Sequence, residues 1–408
     1  MRKHHGDRLI PVCTILLMFV GLLVIYAIGP QRANLLNSVF GSEYSETYFF
    51  VKQFASFVIA LAGFWAMTLI SYRFVLDHAN KILWAGFIAC AALAVAGWTG
   101  IVDPVNGAVR WFDLGPLGSI QPAEILKFGL LLYLAVFLGV RMKEGTVNDL
   151  HKTLIPVGIM TAVALLFVIV IQKDMGTGIS LTAIVATMLF IAGINRKIIF
   201  GLFSLLIIAG LILIVTAPHR VERIATYLQG DNTTTDDPEA YHIAHAKIAI
   251  GSGGLFGVGI GESVQASGYL PEAINDSIFA IIGETFGFIG TVALIALFVA
   301  LLMRLLNVMD YLVDYRLKLL AAGVFGWLGA HVILNIAAMI GIFPLTGITL
   351  PLLSYGGTSM IFMTAALGLI FQLSRYTIHP SRVKEATNED SRSRRGVGRT
   401  RYASRSSS

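Results

Sequence analysis

Leu9-Ile-Pro-Val-Cys-Thr-Ile-Leu-Leu-Met-Phe-Val-Gly-Leu-Leu-Val-Ile-Tyr-Ala-Ile28 contains no charged residue. Crossing about 30 Å of hydrocarbon takes roughly 20 largely apolar residues, and this run is long enough. Arg2, Lys3 and Arg8 precede it, as basic residues precede the apolar stretch of a signal peptide. No small-residue cleavage site follows, because the chain continues Ala27-Ile28-Gly29-Pro30-Gln31-Arg32. The run is read as an uncleaved anchor. Further runs of the same kind lie near 54–71, 82–101, 122–140, 154–171, 178–194, 198–217, 278–303, 318–341 and 357–373. The expected fold is an all-α integral membrane protein with about ten transmembrane helices.

Composition agrees. Apolar residues fill 56% of 408 positions and charged residues 13%, about half the share a soluble domain carries. The two cysteines, Cys13 and Cys90, lie inside apolar runs and suggest neither a disulfide framework nor a zinc site. The net charge of +6 raises the question of nucleic acid, yet nine of the thirty Lys and Arg residues follow Ser374 in a polar tail. A membrane-surface or cytoplasmic tail is the better reading, and no nucleic-acid partner is expected.

Basic residues also orient the chain. With the N-terminus inside, 22 of them fall in short cytoplasmic segments or the tail. Eight remain outside or at membrane depth: Arg32, Lys52, Arg110, Lys127, Lys173, Arg220, Arg223 and Lys247. An odd number of spans would reverse that contrast, so both termini are expected in the cytoplasm. The expected organisation is a membrane domain over 1–375 and a disordered basic tail over 376–408. The largest loop, 218–277, falls between spans seven and eight on the outer face.

Polar residues concentrate on that face. Asn106-Gly-Ala-Val-Arg-Trp111 suggests a loop lying on the bilayer surface, and Arg110 and Trp111 suit that depth even as plain anchors. In Gln121-Pro-Ala-Glu-Ile-Leu-Lys127 the proline fits a first helical turn. Glu124 and Lys127 then share one face of the fourth span, as a functional pair or a self-neutralising one. Lys173-Asp174 forms a tight charged turn. His242 and His245 share a helix face, but two histidines fall short of a zinc site.

Gly251-Ser-Gly-Gly-Leu-Phe-Gly-Val-Gly-Ile-Gly261 spells G-x-G-x-x-G without the preceding strand that a dinucleotide site requires. Its glycines offer backbone able to bend around a ligand or lipid headgroup. Asp276 opens the eighth span, where an N-cap is the plain explanation for an aspartate. Glu284, two turns deeper, is a further intramembrane carboxylate. The prolines and glycines of 344–359 predict broken, re-entrant backbone lining a cavity, with Asn335 able to help satisfy it.

Together these segments resemble the SEDS family (shape, elongation, division and sporulation). The likeness runs from the first span to about Arg375. It is carried by Asn106–Trp111, Gln121–Lys127, Ile248-Ala-Ile-Gly-Ser-Gly-Gly254, Tyr269-Leu-Pro-Glu-Ala273, Ile278-Phe-Ala280 and Leu350-Pro-Leu-Leu-Ser-Tyr-Gly-Gly357. Gly259-Ile-Gly-Glu-Ser-Val-Gln265 and Thr346-Gly-Ile-Thr-Leu-Pro351 are similar to the FtsW-like division branch, whereas Tyr241-His-Ile243 is closer to the RodA-like elongation branch. The sequence departs from the family pattern at Ile274, Asn275, Ser277, His242, His245, Gly268 and Lys173.

The resemblance implies a peptidoglycan glycosyltransferase that polymerises lipid II, a disaccharide-pentapeptide on undecaprenyl diphosphate, outside the plasma membrane. The family's essential aspartate maps to Asp276, and its paired acid and base to Glu124 and Lys127. Asp276 would act as base on the acceptor sugar's 4-hydroxyl. Arg110, Lys127, Arg220 and Lys247 are candidates to stabilise the departing diphosphate. Trp111, Glu272, Ser354, Tyr355, Gly356 and Gly357 are expected to support substrate binding. A divalent cation such as Mg or Mn is compatible with this chemistry, and no ligand cluster identifies one.

Expected partners are a class B penicillin-binding protein (a transpeptidase) and other division proteins. Contact is anticipated at spans eight and nine through Trp327, Gly323, Gly326 and Gly329. The rival readings are a lipid II flippase and a non-catalytic division scaffold.

Overall fold

The computed structural model describes residues 5–377 apart from 105–106, 114, 116–117, 202–203 and 205–237. The apolar runs become α1 (Leu9–Phe40), α2 (Tyr48–Leu69), short α3 (Tyr72–Asp77), α4 (Ala79–Trp98) and α5 (Pro122–Glu144). The fifth run is one continuous span, Leu150–Ile171, with α6 (Ile155–Leu165) between two π-helical turns. Then follow α7 (Met175–Ile191), α8 (Pro238–Ser252), α9 (Ile278–Tyr311), α10 (Tyr315–Met339) and α11 (Gly357–Leu373). Eight described helical spans are long and apolar enough to cross a membrane, and α7 adds a shorter apolar helix. The run near 198–217 and the 378–408 part of the tail lie largely or wholly outside the described residues.

Burial sorts the spans into layers. The best apolar windows of α5, α10 and α11 are 72%, 72% and 78% buried within the protein, against 22% for α2 and 28% for α9. The first three therefore form the interior of the bundle, and the others face lipid. Backbones meet where side chains vanish: a Cβ on Gly86 of α4 would strike the Leu126 backbone of α5, and one on Gly129 would strike Leu83.

Gly323 and Gly326 do the same work inside the molecule. Gly323 packs on Leu131 and Met188, Gly326 on Thr187, and Trp327 is fully buried. The anticipated partner-facing surface is thus not made by these residues, because α10 uses them to approach α5 and α7.

The surface loop expected at Asn106–Trp111 leads into a small hairpin, β1 (Phe112–Asp113) against β2 (Ser119–Ile120), antiparallel. Part of the glycine-rich stretch has a structural use. Helix α9 is broken at Gly287, where φ is 67° and ψ −163°, a conformation open to glycine. The break strands backbone groups at membrane depth, where water cannot serve them. Val258 and Gly259 donate their N–H groups to the carbonyls of Glu284 (2.9 Å) and Thr285 (3.1 Å). Phe288 and Ile289 donate in turn to Gly254 (2.8 Å) and Leu255 (3.2 Å). Gly253 and Gly257 lie directly on the Gly283 and Thr285 carbonyls, where a Cβ has no room. The glycines repair a broken helix.

Candidate functional site

Asp276 is 9% exposed and lies two residues before the first residue of α9. The N-cap position belongs to Ser277, whose side chain makes no cap bond, so capping does not explain the aspartate. Three elements instead hold the segment around it, two through its backbone and one through the Ser277 side chain. Asn335 of α10 donates its amide to the Asp276 carbonyl at 2.7 Å. The Tyr355 N–H of the re-entrant segment donates to the Ile274 carbonyl at 2.8 Å. From α8, His242 Nε2 lies 2.6 Å from the Ser277 hydroxyl.

Ser277 Oγ donates its one proton to the Pro271 carbonyl at 2.9 Å. His242 must therefore be the donor in its contact, with the proton on Nε2. Glu272, in left-handed backbone at φ 49°, accepts from the Asn275 amide. Residues that set this chain apart from the family pattern thus pair locally: His242 with Ser277, Asn275 with Glu272, and His245 with Gln265 at 2.7 Å.

Burial drops the His242 pKa from 6.5 to about 4, with Glu272 opposing the shift. The unfolded imidazole takes up a proton near pH 6.5 and the folded one near pH 4. Unfolding therefore binds a proton in between, and stability declines as pH falls through that window. At pH 5 the loss is on the order of 2 kcal/mol. His242→Gln keeps an N–H for Ser277 and cannot titrate. Thermal denaturation in detergent is expected to lose less stability between pH 7 and pH 5 in the variant than in the parent. Parallel curves would remove this role.

The fourth-span charges form the expected pair. Lys127 Nζ lies 2.8 Å from Glu124 Oε1, with the two side chains 0% and 3% exposed. The ammonium also sits 4.6 Å from the centre of the Trp327 ring, a favourable placement for a desolvated cation. Trp327, His331 and Asn335 are four residues apart and form one stripe along α10. His331 Nδ1 donates to the Thr349 carbonyl at 3.2 Å, and Asn335 also donates to Ile348 at 2.8 Å. Of the backbone expected to be broken over 344–359, residues 344–356 are non-helical and held partly from this stripe, whereas 357–359 already belong to α11.

Arg110 donates to the carbonyls of Gln172 (3.4 Å) and Lys173 (2.7 Å), beside the Trp111 ring. Lys173 Nζ returns a bond to Gly107. Gln121 holds Asp174, which caps α7 through Thr177. Three segments read separately in the sequence thus form one polar corner, joined to the site through Gly176 against Thr346 and Ile348. The Lys247 side chain lies beside Gly341. Arg220 falls outside the described residues.

Ser354 Oγ accepts from Leu350 N–H at 2.8 Å, and Gly357 begins α11. Gln53, unmarked by the sequence reading, bridges the Ser354 carbonyl (3.3 Å) and Gly356 N–H (3.5 Å) while 2% exposed. It lies just before the expected run 54–71, beside Lys52, and carries no signal of its own in the sequence. Glu284 accepts from Ser263 Oγ (2.5 Å) and from the N–H groups of Val264 (3.0 Å) and Gln265 (3.2 Å). It clasps the loop. Among the described residues no group of three or more His, Cys, Asp or Glu is placed to hold a metal ion.

Residues 7–379 match the family model FtsW/RodA/SpoVE, described as cell cycle protein. The chain is 32% identical to stage V sporulation protein E of Bacillus subtilis, over 92% of this chain and 99% of that one. It is 32% identical to the probable peptidoglycan glycosyltransferase FtsW of Nitrosomonas europaea, over 90% and 92%. Its structure is similar to a chain of a peptidoglycan synthase complex that coordinates polymerization and crosslinking (TM-score 0.69, 25% identity, covering 91% and 98%). It shares its fold with the rod shape determining protein RodA of Thermus thermophilus (TM-score 0.65, 24% identity, covering 92% and 98%). The chain is a multi-pass membrane protein belonging to the FtsW/RodA/SpoVE family of cell cycle proteins.

Proposed function

We propose that this chain is a peptidoglycan glycosyltransferase that polymerises lipid II on the outer face of the plasma membrane, with Asp276 as general base. The observation that carries the reading is a carboxylate at a loop–membrane boundary whose segment is held from three elements, twice through its backbone and once through the neighbouring Ser277 hydroxyl. The acceptor 4-hydroxyl gives its proton to Asp276 as its oxygen bonds to the donor's anomeric carbon. The bond from that carbon to the lipid diphosphate breaks, and attack opposite an axial leaving group turns α into β. The cations Lys247 and Arg110, with Arg220 from the sequence reading of the large loop, meet the charge that develops on the diphosphate. Lys127 is fully buried, so it supports the site through Glu124 and Trp327 instead of touching the diphosphate.

The proposed setting is the division septum, with both termini cytoplasmic, a disordered tail over 376–408 and a class B penicillin-binding protein as partner. The likeness to a chain of a synthase complex supports that partner class. A flippase would line a path across the membrane with charge. Here the buried pair Glu124–Lys127 neutralises itself on a single helix. The test is purified full-length protein incubated with lipid II, alone and with the transpeptidase. Glycan strands are expected. Transport of lipid II across vesicles without strand formation would replace this reading by the flippase one.

A further inference from the structure

We infer that Asn335 is a positioning residue for Asp276, setting the carboxylate's place by holding its backbone to the re-entrant segment. The inference rests on the proposed role of Asp276 as base. Asn335 is 1% exposed, and its amide nitrogen carries two protons. Both are used: one bond goes to the Asp276 carbonyl at 2.7 Å, the other to the Ile348 carbonyl at 2.8 Å. Those acceptors lie 59 and 13 residues away in the chain. One side chain of an interior helix thus fixes the base of the large loop and the segment after α10 relative to each other.

The Asp276 carbonyl needs such a donor. Ser277 is the N-cap of α9, so the carbonyl before it lies outside the helical ladder, and a buried carbonyl is costly to leave unmet. Asn335 satisfies it in a way that also fixes direction, since a peptide plane held at its oxygen restricts the Cα–Cβ vector of the same residue. The clamp stands on rigid ground. His331, one turn before Asn335, bonds Thr349, and Trp327, two turns before, packs on Lys127. The stripe therefore ties Asp276, the re-entrant segment and the Glu124–Lys127 pair to one helix. Reacting groups tolerate little misplacement, since about 1 Å of displacement costs up to ~100-fold in rate.

The test is a double-mutant cycle on full-length protein, reading lipid II polymerisation and thermal stability together. Asn335→Leu, close in size but without donors, is expected to lower kcat about 10- to 100-fold with KM within about twofold. The same change made in Asp276→Asn protein is expected to add little further loss, because both act through one carboxylate. If Asn335→Leu fails to fold, Asn335→Ala, which removes both donors without adding bulk or charge, goes through the same cycle. Near-normal kcat, or losses that multiply in the double variant, would overturn the inference while leaving Asp276 as base. Normal polymerisation by Asp276→Asn alone would instead overturn the underlying reading.

Discussion

Asp276→Asn is expected to lower glycan-strand formation by at least about 100-fold, the order that follows loss of a general base (~10²–10⁴). Asparagine matches aspartate in size but cannot accept a proton from a sugar hydroxyl at a useful pKa. The backbone contacts of residue 276 survive the change. Asn335 bonds the backbone carbonyl of residue 276, which the variant retains. The knot around it is held by Tyr355 N–H, Ser277 and His242, none of which is altered. Membrane insertion, partner binding and thermal stability should therefore stay near normal, and they are measured on the same sample. Near-normal strand formation would sink Asp276 as the base. Suspicion would then pass to Glu272, since Glu284 is occupied in clasping residues 263–265.

The largest expected effect on stability comes from Lys127→Met. Removing the ammonium leaves Glu124 buried without its 2.8 Å partner. Breaking a buried pair from one side typically costs about 3–5 kcal/mol, whereas replacing both charges by neutral groups is often close to neutral. The double variant Glu124→Gln, Lys127→Met is expected to regain most of the lost stability. Methionine suits the Trp327 ring, where the ammonium now sits 4.6 Å from the centre, because its sulfur also packs well on aromatics. Thermal melts of the two single variants and the double one decide the matter. Equal destabilisation by Lys127→Met and by the double variant would show that the charges are not coupled. Activity is read separately, since stability restored without polymerisation would assign the pair a part in the reaction as well as in folding.

Much of this protein was legible in its sequence because membrane constraints are one-dimensional. A run such as Leu9–Ile28 must become a helix, since the bilayer core offers its backbone no other partner. The three-residue spacing of Glu124 and Lys127 on one helix was enough to pair them. The broken backbone of 344–356 followed from its prolines and glycines. What stayed hidden depended on which segment lies against which. Asp276 looked like a helix cap until the helix was seen to begin one residue later. The glycines of 251–261 read as a cradle for a ligand, because nothing local reveals that they fill a break at Gly287. Gly323 and Gly326 read as an outer surface, because small residues permit close approach without saying to what. Gln53 and Asn335 bond carbonyls hundreds or tens of residues away, and an amide's partners cannot be counted along a chain. Sequence determined which segments enter the membrane and which residues are chemically able to act. Tertiary packing alone decided their partners, because buried backbone and side-chain polar groups must be satisfied by whatever the fold brings within about 3 Å.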